Sequence, residues 1–104
     1  MNYYAIICED TPNSMEKRRA VRPAHLMRLD ELQKQGRLIT AGALFNSDSE
    51  SPLSNGVHGS LIVAKFDSLE DAKAWAAADP YVTAEIYGRI NVFPYKVAYP
   101  NEQQ

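Results

Sequence analysis

The sequence is poor in the residues that build metal centres and covalent cross-links: its 104 residues include one cysteine and two histidines. A single cysteine, Cys8, excludes an internal disulfide and fits a reducing compartment. Two histidines and one cysteine are too few for a structural zinc site, so no metal is expected. Long apolar runs are missing as well. None approaches the ~20 residues that cross a bilayer, and no membrane partner is expected. The opening Met-Asn-Tyr-Tyr lacks the basic segment of a secretory signal, so a cytoplasmic home is expected. Neither sign of charge dominates. Eleven Lys and Arg stand against 13 Asp and Glu, and the pI near 5.6 argues against a nucleic-acid partner. There is no phosphate loop, no dinucleotide fingerprint and no Gly-x-Ser-x-Gly elbow around Ser60. No cofactor is expected.

What is present reads as one globular domain over residues 1–98 with a polar tail over 99–104. Hydrophobic residues make up 45% and charged residues 23%, an ordinary balance for a chain long enough to bury one core. Tyr3 to Glu9 is a β-rich run that ends in the turn signal Asp10-Thr11-Pro12-Asn13. A helical pattern follows from its cap Ser14 to Gly36, a good C′ residue. Arg37 to Ala43 predicts a second strand, and polar, turn-rich Phe45 to Val57 a surface loop placed to act as a lid. His58 to Phe66 is a third strand. Ser68 and Asp71 resemble a capping box opening a helix over Leu69 to Ala78. Asp79-Pro80-Tyr81 interrupts it, and Tyr87 to Val97 is a last strand. The order β-α-β-β-α-β predicts an α+β, ferredoxin-like fold of the split βαβ kind. That fold also serves RNA recognition, but the third strand lacks the paired aromatics that stack bases.

The strands are apolar on both faces. In "LIVAKF", Leu61 and Val63 point one way while Ile62, Ala64 and Phe66 point the other. In the last strand Ile90 and Val92 oppose Phe93 and Tyr95. Helices cover one face of such a sheet, so the other needs a partner subunit, and a homodimer is expected.

The stretch "RPAHLMRL" holds the one histidine that falls within a leucine stripe. At ~100° per residue, His25 lies beside Leu29 and Leu32 on the inner face, with Arg28 and Glu31 pointing away. Pro23 costs roughly 3 kcal/mol inside a helix but suits a first turn. This predicts a break near Arg22 and a new helix starting at Pro23. His25 would then sit in a first turn, where the helix dipole disfavours imidazolium and leaves a neutral ring fit for general-base work. A base needs an orienting carboxylate, and two candidates are open: Asp79 in "DPY" and Asp10 in "CED". Each residue also has a plain structural use, as a core histidine, a helix-stop residue or a turn residue. Gly42 in "TAGAL" marks a place where a ligand can approach the backbone, or a bend in the strand. Lys17, Arg18, Arg19 and Arg22 form a basic cluster read as a solvated helix face, with Arg22 best placed to attract an anionic substrate. Cys8, inside an apolar strand, reads as core.

"VRPAHLMRL", "GRLITAGAL", "HGSLIVAKF", "SLEDAKAWAAADPYV" and "VFPYKV" together resemble the YciI-like family, the YCII-related domain, over almost the whole chain. The specific parts are Arg22-Pro23 with His25, Thr40-Ala41-Gly42, Gly59-Ser60 and Asp79-Pro80-Tyr81. The resemblance implies a ferredoxin-like subunit that pairs sheet to sheet as a dimeric α/β barrel, with a pocket around a histidine–aspartate dyad. By position the dyad falls on His25 and Asp79, with Arg22, Gly42, Ser60 and Tyr81 lining the pocket and Asp10 as the alternative acid. The family includes a dehydrochlorinase of a chlorinated hydroquinone. The implied function is therefore a cofactor-independent lyase or isomerase acting on a small anionic or phenolic substrate. The alternative is a non-catalytic small-molecule-binding module using the same pocket. The sequence departs from the family at Ala43, where proline is frequent, and at Glu85, where a small residue, usually glycine, is found. His58 precedes Gly59-Ser60.

Overall fold

The computed structural model describes residues 1–48 and 56–100. Residues 49–55, the middle of the expected lid, and residues 101–104 of the tail lie outside the described part. Four strands form one antiparallel sheet: β1 (Asn2–Asp10), β2 (Leu38–Phe45), β3 (Val57–Phe66) and β4 (Tyr87–Tyr95). Their order is β2-β3-β1-β4. Helix α1 (Met15–Lys34) links β1 to β2, while α2 (Leu69–Ala77) and the short α3 (Pro80–Thr83) link β3 to β4. This is the expected α+β, ferredoxin-like arrangement.

The pleat sorts the side chains. Along β1, Tyr4, Ile6 and Cys8 are buried while their neighbours are partly exposed. Ile6 lies opposite Ile62 of β3 and Val92 of β4. With Phe66, Leu32, Ala72, Ala76, Tyr81 and Ile86 these residues make the core between sheet and helices. Gly59 is required where β3 meets β1: a Cβ there would stand 1.8 Å from the carbonyl oxygen of Cys8. The other face carries Tyr3, Ala5, Ile7, Leu61, Val63, Phe93 and Tyr95, by register. Phe93 is 52% and Tyr95 44% exposed while Val63 is only 6%, so the apolar second face expected from the strands is present and lies open in the single chain chiefly along β4.

The helix break expected near Arg22 is not there. α1 runs unbroken for 20 residues with Pro23 inside it. Pro23 and Arg19, the residue whose carbonyl loses its partner, both lie on the exposed side, where water can satisfy that carbonyl. On the inner side Leu32 is buried, and Val21 and Leu29 pack against the core. Burying leucine-sized groups contributes roughly 1.5–3 kcal/mol each, which together outweighs a proline cost of about 3 kcal/mol. His25 therefore stands mid-helix, and the first-turn dipole argument does not apply to it. The helix ends as expected at Gly36, φ 71°. The Arg37 N–H reaches the Leu32 carbonyl at 2.9 Å and the Gly36 N–H that of Gln33 at 3.0 Å, a Schellman close.

Ser14 does not cap α1. Its hydroxyl donates to Asp10 Oδ2 at 2.5 Å instead. Ser68 does cap α2, accepting the Asp71 N–H at 3.1 Å. Asp79 caps α3, accepting the Tyr81 N–H at 2.9 Å, with Pro80 in the first turn. Among the described residues no helix is long and apolar enough to cross a membrane.

Candidate functional site

α1 and α3 bring His25 to Asp79. The imidazole Nδ1 lies 2.9 Å from Oδ2 and 3.0 Å from Oδ1 of the carboxylate. A carboxylate oxygen accepts, so Nδ1 carries the hydrogen of this contact, and Nε2 is the ring nitrogen left clear of Asp79. Both groups are buried, His25 at 6% exposure and Asp79 at 1%. The Tyr81 ring fixes the imidazole from one side, centroids 4.1 Å apart and planes within 8°, and Tyr87 meets it edge-on at 6.4 Å. Asp79 is thus a hub: it accepts from His25, from the Tyr81 N–H, and from Arg28 at 3.4 Å. Arg28 does not point away, as the helix geometry suggested. It lies over the Trp75 ring at 4.3 Å and donates to the Trp75 carbonyl at 2.9 Å.

Asp10, the other candidate acid, does not meet His25. Its carboxylate takes Arg18 Nε at 2.6 Å and the Arg18 terminal nitrogen at 3.0 Å, besides the Ser14 hydroxyl. The same Arg18 nitrogen donates to Ser60 Oγ at 2.9 Å, and the Tyr87 phenol donates to that oxygen at 2.8 Å. The basic cluster predicts a solvated face for Arg18. In the fold its side chain is only 11% exposed, seven residues before His25 on the same side of α1. Burial lowers the Arg18 pKa, but its bond and charge pairing with Asp10 raise it more, so the guanidinium stays charged. Burial pushes both phenols, Tyr81 and Tyr87, above their ordinary value and keeps them protonated donors.

These groups surround a cavity of about 130 Å³ between α1 and the edge of the sheet. It is lined by His25, Arg18, Arg22, Ser60, Tyr81 and the Ala41–Ala43 strand, with leucines closing the apolar side. So Arg22, Gly42, Ser60 and Tyr81 all meet at one cavity with His25, and Asp79 stands behind the ring. Arg22 is exposed at the rim. Gly42 has open space about its Cα, with nothing within 4 Å of an added Cβ. A cavity of ~150 Å³ holds benzene, so this one is on the scale of a single six-membered ring. Among the described residues no three His, Cys, Asp or Glu side chains converge as metal ligands.

Sequence reasoning missed Arg18, Tyr87 and Arg28. For Arg18 a signal was available: it sits seven residues before His25, two helical turns away on the same face.

A ferredoxin-like sheet with one buried histidine–aspartate pair over a ring-sized cavity defines the class of fold and site. The YCII-related domain matches residues 2–96, and the chain belongs to that family. It is 50% identical over 93 residues to Protein YciI of Escherichia coli O6:H1, covering 89% of this chain and 95% of that one. It is 49% identical over 94 residues to an uncharacterized protein of Haemophilus influenzae, covering 90% and 96%. Among solved structures it is similar to 5-chloro-2-hydroxyhydroquinone dehydrochlorinase from Burkholderia phenoliruptrix, in complex with 2,5-dihydroxybenzoquinone. That likeness has a TM-score of 0.80 at 20% identity, covering 96% of this chain and 99% of the other. It is a likeness of fold.

Proposed function

We propose that the chain is a small cofactor-independent enzyme of lyase or isomerase type, acting in the cytoplasm as a homodimer on a small anionic or phenolic substrate. His25 Nε2 takes a proton from the substrate while Asp79 holds the ring by Nδ1. The substrate's C–H or O–H bond breaks, an N–H bond forms, and the electron pair moves onto a substrate oxygen. Ser60 and Arg22 donate to that oxygen, and Tyr81 and the Gly42 strand bound the ring. The observation that carries this reading is the bonding of His25: a buried imidazole tied to Asp79 through Nδ1, stacked on Tyr81 by one face, and lining the cavity. The size of the cavity and the dehydrochlorinase likeness support a hydroxylated six-membered ring as substrate.

The test is turnover, and deuterium uptake from heavy water, on hydroxylated and chlorinated benzenes including 5-chloro-2-hydroxyhydroquinone. The parent should process at least one, and His25→Asn should lose about 10²-fold or more, the usual worth of a positioned base. A ring compound that binds the parent tightly without turnover or exchange would instead make the chain a non-catalytic binding module.

A further inference from the structure

Arg18 and Asp10 form a buried ion pair that stability alone does not explain, since apolar residues in place of such pairs are often as stable or more so. The carboxylate takes two bonds from Arg18 and one from Ser14, so the pair is closed on that side. On its other side the guanidinium reaches a single oxygen, Ser60 Oγ. That oxygen is at the cavity and also takes the Tyr87 phenol. A serine oxygen has two lone pairs and one hydrogen. With both lone pairs filled by donors that stay protonated, Ser60 has nothing left but its hydrogen to offer.

We propose that Arg18 is a positioning residue that fixes Ser60 as an obligate hydrogen-bond donor, so that the pocket favours a ring presenting a carbonyl or anionic oxygen there over one presenting a neutral hydroxyl. Asp10 holds the guanidinium in place, and Tyr87 supplies the second bond. This rests on the proposed function and names its substrate polarity: a carbonyl, enolate or phenolate oxygen at Ser60, with the acidic hydrogen toward His25. A neutral hydroxyl at that place can still accept by turning its hydrogen away, but its oxygen is a weaker acceptor than a carbonyl or a phenolate, and its hydrogen then needs a partner of its own.

The experiment is a double-mutant cycle on binding of 2,5-dihydroxybenzoquinone, compared with 1,2,4-trihydroxybenzene as a hydroxyl-rich ring. The neutralised pair Asp10→Asn with Arg18→Gln avoids stranding a buried charge, and unchanged circular dichroism confirms the fold. In the parent the quinone should bind at least tenfold more tightly than the triol. The neutralised pair should lose that preference by about tenfold. In a Ser60→Ala background the same change should matter by less than twofold, because Arg18 acts through Ser60. Additive losses would show a merely structural Arg18 and overturn the inference while leaving the proposed function standing. Failure of the parent to bind either ring would contradict the proposed substrate class itself, and the inference with it. A neutralised pair that does not fold makes the pair structural and also overturns it.

Discussion

The imidazole of His25 lies flat on the phenol ring of Tyr81, 4.1 Å between centroids, and both residues are tied to Asp79, one by its side chain and the other by its backbone N–H. Ring, base and carboxylate therefore form one rigid unit rather than three separate contacts. Asp79 keeps two donors, Arg28 and the Tyr81 N–H, if His25 is removed. The two positions should respond differently to substitution.

His25→Leu should keep its urea midpoint within about 1 kcal/mol of the parent at pH 7, because no buried charge is stranded and an apolar side chain fills the stripe. Asp79→Ala should lose roughly 3–5 kcal/mol, since it leaves buried donors without an acceptor. A fall of about 2 kcal/mol or more in His25→Leu with ligand binding intact would make His25 a structural residue.

Glu85 sits at φ 61°, in the left-handed region that favours glycine. The turn it closes is a Schellman end to α3, with the Ile86 N–H on the Tyr81 carbonyl at 2.8 Å and the Glu85 N–H on that of Val82 at 3.0 Å. Glu85→Gly should raise stability by about 1 kcal/mol, the lower end of the left-handed cost for an ordinary residue. A lower urea midpoint in that variant would show that the glutamate side chain compensates.

Burial pushes the Cys8 thiol from an ordinary value of 9.0 up to about 12. The unfolded thiol ionises first as pH rises, so the unfolded state loses its proton while the folded state keeps it. Stability from this group is complete below about pH 9 and is lost between pH 9 and 12. Urea midpoints should fall above pH 9, and Cys8→Ala should flatten the fall. An equally steep fall in that variant would assign it to other groups, such as the buried Tyr87.

Phe93 and Tyr95 present an apolar face that no helix covers. The parent should sediment as a dimer at micromolar concentration, and Phe93→Lys as a folded monomer, because a charge buried unpaired at an interface is strongly unfavourable. A parent that sediments as a monomer would remove the dimer from the account.

Much of this was legible in the sequence, for physical reasons. Strand periodicity and the turn residues around Gly36 and Asp79-Pro80 report local preferences, and these survived into the fold. The family pattern pointed to His25 and Asp79, which lie 54 residues apart and touch. What misled was the treatment of single residues in isolation. Pro23 reads as a breaker until the inner face of α1 is buried, and burial energy belongs to the tertiary structure. Arg18 reads as a surface charge until Asp10, Ser60 and two phenols enclose it. Arg28 reads as outward-facing because wheel angles ignore the length of its side chain, which lets it reach Trp75 and Asp79.

The central claim is that His25 offers a bare Nε2 to the cavity because Asp79 holds the hydrogen on Nδ1. Long-range proton–nitrogen NMR on ¹⁵N-histidine protein reads this directly, with His58→Gln assigning the two rings. The neutral His25 ring should show a protonated Nδ1 and an unprotonated Nε2, and Asp79→Asn should disturb that preference. A neutral ring protonated at Nε2 would contradict the account, because the nitrogen meant to take the substrate's proton would already carry one.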